Sequence, residues 1–257
     1  TPSSLAACVR FTLEKHAMVL PGERVLTAVS GGPDSVCLLE ILCELGLSVV
    51  VVHFDHQTRN GASAQDAEFV RKMAIDKGLP FHLATRPVAQ EAKEQSLSFE
   101  EYARNVRYEA LTRIAQEQGC AVLATGHHAA DQAETLLMRI LRGTTPHGLS
   151  GIPPVRREGA LRIIRPLIET SRDEVLAYLD EKGLSYCVDH SNLDPAHIRN
   201  RIRHELLPHL RAMYNPRVDN ALNRLSEVLR VENDFIDTQA KSALETCTNP
   251  DGTISRR

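Results

Sequence analysis

The stretch Ser30-Gly31-Gly32-Pro33-Asp34-Ser35 holds residue types that can bind an anion. Two glycines without a Cβ let a loop turn sharply and bring backbone N–H groups against a ligand, and Pro33 is pre-set for a first helical turn. The unpaired N–H groups of such a turn face a phosphate well. Ser30 and Ser35 add hydroxyl donors. Asp34 would repel a bare polyphosphate, so its presence predicts a divalent cation, Mg²⁺, held between carboxylate and phosphate. The bland alternative is a plain turn with an N-cap, since all these residues form turns readily. The string matches neither Gly-x-Gly-x-x-Gly nor Gly-x-x-x-x-Gly-Lys-[Ser/Thr], which counts against a dinucleotide fingerprint and a Walker-type loop.

Two further clusters could do chemistry. His53-Phe54-Asp55-His56 ends a valine run, and Gly126-His127-His128-Ala129-Ala130-Asp131-Gln132-Ala133-Glu134-Thr135 follows a short apolar stretch. At roughly 100° per residue, a helix through this segment places His127, Asp131 and Glu134 within about 60° of one another, so one helical face is expected to present all three. Acid/base work is one use for that face; two carboxylates simply complementing a helix dipole is another.

The elements that must position these residues follow from periodicity. Leu5, Val9 and Leu13 predict a helix from about Ser4 to Val19, and Val25 to Val29 a strand entering the loop. A second strand is expected over Ser48 to Phe54, helices over Ala64 to Gly78 and Ser98 to Gln118, and strands over Pro80 to Ala84 and Cys120 to Thr125. The longer of those helices opens on a Ser98-x-x-Glu101 capping pattern and carries Arg104, spaced to pair with Glu100, and Arg107. The alternation predicts an α/β fold with a doubly wound parallel sheet. In such sheets ligands gather at the carboxyl ends of strands, beside the phosphate loop.

Ser171-Arg172-Asp173-Glu174 reads as the start of a capped helix stopped by Gly183. Leu222, Leu225, Leu229 and Ile236 form a later helical stripe expected to pack. A boundary near Asn215 is expected, dividing a catalytic domain (1–214) from the start of a smaller helical domain (215–257).

With 257 residues, 42% of them apolar, one α/β core is affordable and a disordered chain is not expected. The net charge of −3 does not advertise a polyanion partner. Local fields differ: six Arg face one acid between Arg139 and Arg165, and seven face three acids between His197 and Arg230. The six cysteines include no Cys-x-x-Cys pair and read as reduced, mostly buried thiols. No run approaches the roughly 18 apolar residues that cross a bilayer, so no membrane association and a cytoplasmic location are expected. Lacking an initial Met and a clear C-terminal stop, the sequence reads as a piece of a longer one.

The loop resembles the Ser-Gly-Gly-x-Asp-Ser loop of the N-type ATP pyrophosphatases, whose adenine nucleotide alpha hydrolase-like fold matches the strand and helix alternation. The ordered motifs resemble, more narrowly, the tRNA(Ile)-lysidine synthetase family over about residues 25 to 215. They are Ser30 to Ser35, His53 to His56, Gly126 to Thr135, Leu141-Arg142-Gly143, Arg165-Pro166-Leu167, Asp189 to Asp194 and Arg199-Asn200-Arg201-Ile202-Arg203. The resemblance implies ATP and Mg²⁺ as cofactors, with L-lysine and the CAU-anticodon tRNA(Ile) as partners, and leaves a homodimer open. The second domain would then be the incomplete start of a tRNA-binding domain.

It further implies that Ser30, Gly31, Gly32, Pro33, Asp34, Ser35, His53, Asp55 and Gly126 bind nucleotide, with Asp34 on the metal. Asp34, Arg107, His127, Asp131, Glu134 and Arg201 would carry catalysis, with Arg199 and Arg203 as alternative clamps. The family often has two acids before Gln, where this chain has Ala130-Asp131. Rivals are a cytidine thiolase, against which the missing Cys pairs count, an amidotransferase-coupled synthetase, and a non-catalytic ATP-binding module.

Overall fold

The computed structural model describes residues 3–55, 62–88, 91, 99–187, 198–248 and 253. His56, Ser98, the side chains of Glu100 and Glu101, and Asp189 to Asp194 lie outside the described residues, and with them the capping pattern and the Glu100 pairing expected above. The chain forms two compact units, one of residues 1–129 and 154–190, the other of 130–153 and 191–257. Asn215, where the sequence suggests a boundary, falls inside the second unit.

The first unit is built on a six-stranded sheet. In chain order it comprises α1 (Ser4–Lys15), β1 (Arg24–Ala28), α2 (Pro33–Glu44), β2 (Ser48–Asp55), α3 (Ala62–Asp76), β3 (Phe81–Thr85), α4 (Phe99–Glu117) and β4 (Val122–Ala124). The first residue of α5 (Ala129–Arg142) belongs to it too, as do β5 (Val155–Glu158), β6 (Leu161–Ile164) and α7 (Arg172–Glu181). The strand order is β3-β2-β1-β4-β6-β5, all parallel except the β5–β6 pair. The sheet is thus the expected doubly wound parallel one, with β5 added as an antiparallel edge. Gly159 with φ +58° turns the chain straight back, and an antiparallel hairpin needs no crossover helix.

Burial on both faces explains the apolar runs. Val25, Val49, Val51, Val122 and Ala124 pack under α1, α2, α3 and α7. Their neighbours Leu26, Val50, Val52 and Leu123 pack on the other face with Tyr108, Leu111 and Ile114 of α4. The alternation is the period of two that a pleated strand imposes. The order reverses between β1 and β4, which leaves a crevice at their carboxyl ends.

Caps fix the helices. Ser171 and Glu174 form the expected capping box, the Ser171 hydroxyl accepting from the Glu174 N–H and the Glu174 carboxylate accepting from the Ser171 N–H. The first helix stops at Lys15, short of Val19, with Ala17 at φ +45°. Of the cysteines, all free, Cys37 and Cys120 are buried and Cys8 is exposed, so the thiols are less uniformly buried than expected.

The second unit is helical: the rest of α5, α6 (Pro146–Leu149), α8 (Ile198–Arg201), a π-helical turn (Ile202–Leu206), α9 (Leu207–Met213) and α10 (Val218–Cys247). Its apolar centre is Ala133, Ile202 and Leu207, with Leu137, Met138, Leu206, Val218 and Leu222 around them. The π turn has a local cause: Pro208 offers no N–H to the carbonyl of His204, and the Leu207 N–H reaches back five residues to Ile202. The stripe on α10 is corrected here. Leu225 and Ile236 are exposed, and the packed side runs through Leu222, Ser226, Arg230 and Asn233. Arg230 and Asn233 use that side to donate to the Ser150 carbonyl and hydroxyl at 2.8 and 2.7 Å. No helix among the described residues is long and apolar enough to cross a membrane.

Candidate active site

The loop between β1 and α2 turns at Gly31, whose φ of +93° is open to glycine and strained for other residues. The hydroxyls close the loop on itself. Ser35 Oγ donates to the Gly32 carbonyl at 2.9 Å and accepts from the Ser30 N–H at 3.1 Å, and Ser30 Oγ accepts from the Gly32 N–H at 3.3 Å. Pro33 starts the helix, so the first-turn N–H groups of Asp34 and Ser35 point out of the N-terminus, where the helix dipole favours an anion. Cys187 packs over the loop: its N–H donates to the Gly31 carbonyl at 2.9 Å, and a Cβ on Gly31 would sit 3.2 Å from Cys187 Sγ.

Gly126, past the end of β4, lies against the same loop. A Cβ there would stand 3.1 Å from the carbonyl carbon and oxygen of Asp34 and 3.2 Å from the Ser35 nitrogen, all backbone atoms. Its lack of a side chain is thus a packing requirement of the nest. His128, 1% exposed, faces Asp34 with Nε2 3.5 Å from Oδ1. His128 stands within the Gly126-to-Thr135 motif, but its spacing alone assigns it no role; the one sequence signal is that it lies two residues after Gly126. His53 is also buried, its Nδ1 hydrogen-bonded to the Val29 carbonyl at 2.8 Å, which steadies the strand entering the loop. Asp55 lies half-buried at the end of β2.

His127 does not share a helical face with Asp131 and Glu134. The helix starts at Ala129, and His127 sits in the extended turn before it with Nδ1 3.0 Å from the Thr125 hydroxyl. Four residues after β4 are needed to turn the chain, and they cannot be helical as well.

In the second unit Asp131 and Glu134 form a closed ionic cluster. Arg199 Nη2 lies 2.7 Å from Asp131 and its Nε 2.8 Å from Glu134, while Arg203 Nε lies 2.5 Å from Glu134 and its Nη2 3.3 Å from Asp131. Glu134 is 1% exposed. Burial would push Arg199 down, but the two carboxylates outweigh it and hold the guanidinium above its ordinary range. The i,i+4 spacing of Arg199 and Arg203 puts both on one side. Arg201 lies on the other, exposed, nearest Glu205 at 3.9 Å. Charges this buried persist only when paired.

Arg107 is partly buried beside Tyr108, its guanidinium 5.5 Å from the ring centroid; burial lowers its pKa. Among the described residues no group of three or more His, Cys, Asp or Glu is arranged to hold a metal alone. Asp34 by itself suits a cation that draws most of its ligands from phosphate and water, as Mg²⁺ does.

A glycine-lined anion nest at the topological switch point of a parallel sheet can hold a nucleotide's phosphates. Comparison with known proteins agrees. The tRNA(Ile)-lysidine synthase of Symbiobacterium thermophilum is 44% identical over 244 residues, covering 93% of this chain and 50% of the relative. That of Geobacter sulfurreducens is 42% identical over 239 residues, covering 92% and 50%. The chain thus spans about half the length of the curated relatives it matches. Among solved structures, a U34-tRNA thiolase from Methanococcus maripaludis superposes with a TM-score of 0.67 at 17% identity, over 88% of this chain and 78% of that one, a likeness of fold. The family model described as PP-loop domain matches residues 8–210, and with the loop, the switch point and the strand order in place, the chain belongs to the PP-loop domain family.

Proposed function

We propose that the protein uses ATP to attach L-lysine to the wobble cytidine of the CAU-anticodon tRNA(Ile), giving lysidine, AMP and pyrophosphate. The observation that carries this reading is the nest at residues 30–35, in a chain 44% identical over most of its length to a protein named for that product. In the first step the cytidine O2 attacks the α phosphorus and pyrophosphate leaves. In the second the lysine ε-amine attacks C2, the C2–O2 bond breaks, and AMP departs with O2 as the amine loses its proton.

Ser30, Gly31, Gly32 and Ser35 bind the outer phosphates at the N-terminus of α2, where the N–H groups and dipole oppose their charge. Mg²⁺, held by Asp34 and phosphate oxygens, would neutralise charge developing on the transferring group. Buried His128 faces the Asp34 carboxylate, and Gly126 lets β4 approach without displacing the loop. Arg107 is a cation for the phosphate side of the reaction. His127 is the group suited to take a proton from the lysine ammonium, while Asp131 and Glu134, already neutralised, hold Arg199 and Arg203 in place. Arg199 and Arg203 saturate both acids, and Arg201, exposed on the opposite side, is the cation left for a substrate phosphate.

The test supplies ATP, L-lysine and a CAU-anticodon transcript and reads AMP release together with the mass of the wobble base. AMP is expected only when all three are present, with the cytidine gaining the mass of lysine less water. Asp34→Ala should abolish turnover while leaving the circular dichroism spectrum intact. Release of ADP, or full turnover by the folded variant, would overturn the scheme.

A further inference from the structure

Seven arginines stand against three acids between His197 and Arg230, and the fold gives five of them a partner. Arg199 and Arg203 bind Asp131 and Glu134, Arg201 has Glu205 3.9 Å away, Arg211 holds Asp219 through two bonds of 2.7 Å, and Arg230 donates to the Ser150 carbonyl. Arg217 and Arg224 are not used in this way. Among the described residues neither guanidinium makes an ion pair or a hydrogen bond. Both are exposed, and both line one cleft of about 360 Å³ in the second unit, together with Asn215, Asn220 and Ala221.

The chain builds this cleft locally. Spacings of three and four residues put Asn220, Ala221 and Arg224 on one side of α10, and Arg217 precedes them at its N-cap. The turn from α9 is pinned. The Asn215 N–H donates to the Leu210 carbonyl at 2.9 Å, the Asn215 side-chain oxygen accepts from the Arg217 N–H at 2.9 Å, and the pair of Arg211 and Asp219 spans the turn. Among the described residues no acid lines the cleft, and Asp219, two residues from Arg217, is neutralised by Arg211. Tyr214, next to Asn215, is 76% accessible and yet braced, the His209 ring standing edge-on to it with centroids 5.9 Å apart.

Two cations lining a cleft without an acid fit an anion, and the amides of Asn215 and Asn220 add donors for its oxygens. The bare aromatic ring beside them narrows the anion's class. Every nucleic-acid base has a π-face that can stack on such a ring, whereas an acidic peptide has none to offer. We propose that this cleft holds backbone phosphates of an RNA strand on Arg217 and Arg224, with an unpaired base stacked on Tyr214. The identity of that RNA as a tRNA rests on the function proposed above; the cleft's preference for a polynucleotide does not.

R217Q, R224Q and Y214A variants of the full 257-residue chain, each checked for an unchanged thermal melt, would be titrated with a CAU-anticodon tRNA transcript across a KCl series, with a poly-glutamate peptide and with Mg·ATP. Each variant is expected to weaken tRNA binding roughly tenfold near 0.1 M salt. The arginine variants should also flatten the slope of log Kd against log salt by about 0.7–0.9 each, whereas Y214A should leave that slope unchanged. ATP affinity should stay at the wild-type value in all three. Wild-type tRNA binding that all three folded variants keep overturns the cleft and spares the function. Loss of poly-glutamate binding with tRNA binding kept assigns the cleft to an acidic protein partner and overturns the RNA site. Weakened tRNA binding in a chain that makes no lysidine supports the cleft and counts against the function. Absent tRNA binding by the wild-type chain overturns both.

Discussion

Single atoms decide whether the nest works. A Cβ at Gly126 would crowd the backbone of Asp34 and Ser35 at 3.1–3.2 Å, and backbone cannot swing aside as a side-chain end can. Gly126→Ala should therefore shift the start of α2, costing about 1–3 kcal/mol of stability by overpacking and weakening ATP binding about tenfold. Calorimetric titration against wild type reads both effects, and unchanged affinity would show that the contact is slack. By contrast, the His128 ring is nearly inaccessible and faces the Asp34 carboxylate with Nε2 3.5 Å from Oδ1.

Elements are tied by charges at their ends. Glu44 closes α2 and receives the Ser3 N–H from the α1 cap, the Tyr178 hydroxyl at 2.8 Å and Lys182 at 3.3 Å from the end of α7. Burial pushes its carboxyl up, but these donors outweigh burial and bring it to about 2. The folded-state pKa is thus below the unfolded one, so the carboxylate stabilises the fold fully above the ordinary carboxylate range. That contribution is lost as pH falls from about 4.5 toward about 2. Glu44→Gln should lower stability at pH 7 and flatten the acid limb of a denaturation series between those values. A parallel shift at all pH values would assign Glu44 a packing role instead.

Across the whole molecule, protection should follow burial. β1, β2 and β4 are covered on both faces, whereas α10 beyond Asn233 is exposed nearly all round, Phe235 and Leu244 being 64% and 54% accessible. Hydrogen–deuterium exchange with peptide-level mass spectrometry should find the slowest amides in Val25–Thr27 and Val49–Val52, and the fastest helical ones after Asn233. Equal protection of the two would mean that the distal part of α10 is held by something other than its own packing.

The nest and the alternation of strands and helices were legible in the chain itself, because strand period, helix caps and glycine placement are local properties that each segment enforces within a few residues. Tertiary packing decided the rest. It set Gly126 against Asp34, turned His128 onto the same carboxylate, took His127 off the helix, and selected Arg199 and Arg203 over Arg201 as the partners of Asp131 and Glu134. It also drew arginines about 50 residues apart in sequence around Tyr108. Such meetings depend on which strand lies beside which and on how many residues a turn consumes, and neither quantity is written in the spacing of any single motif.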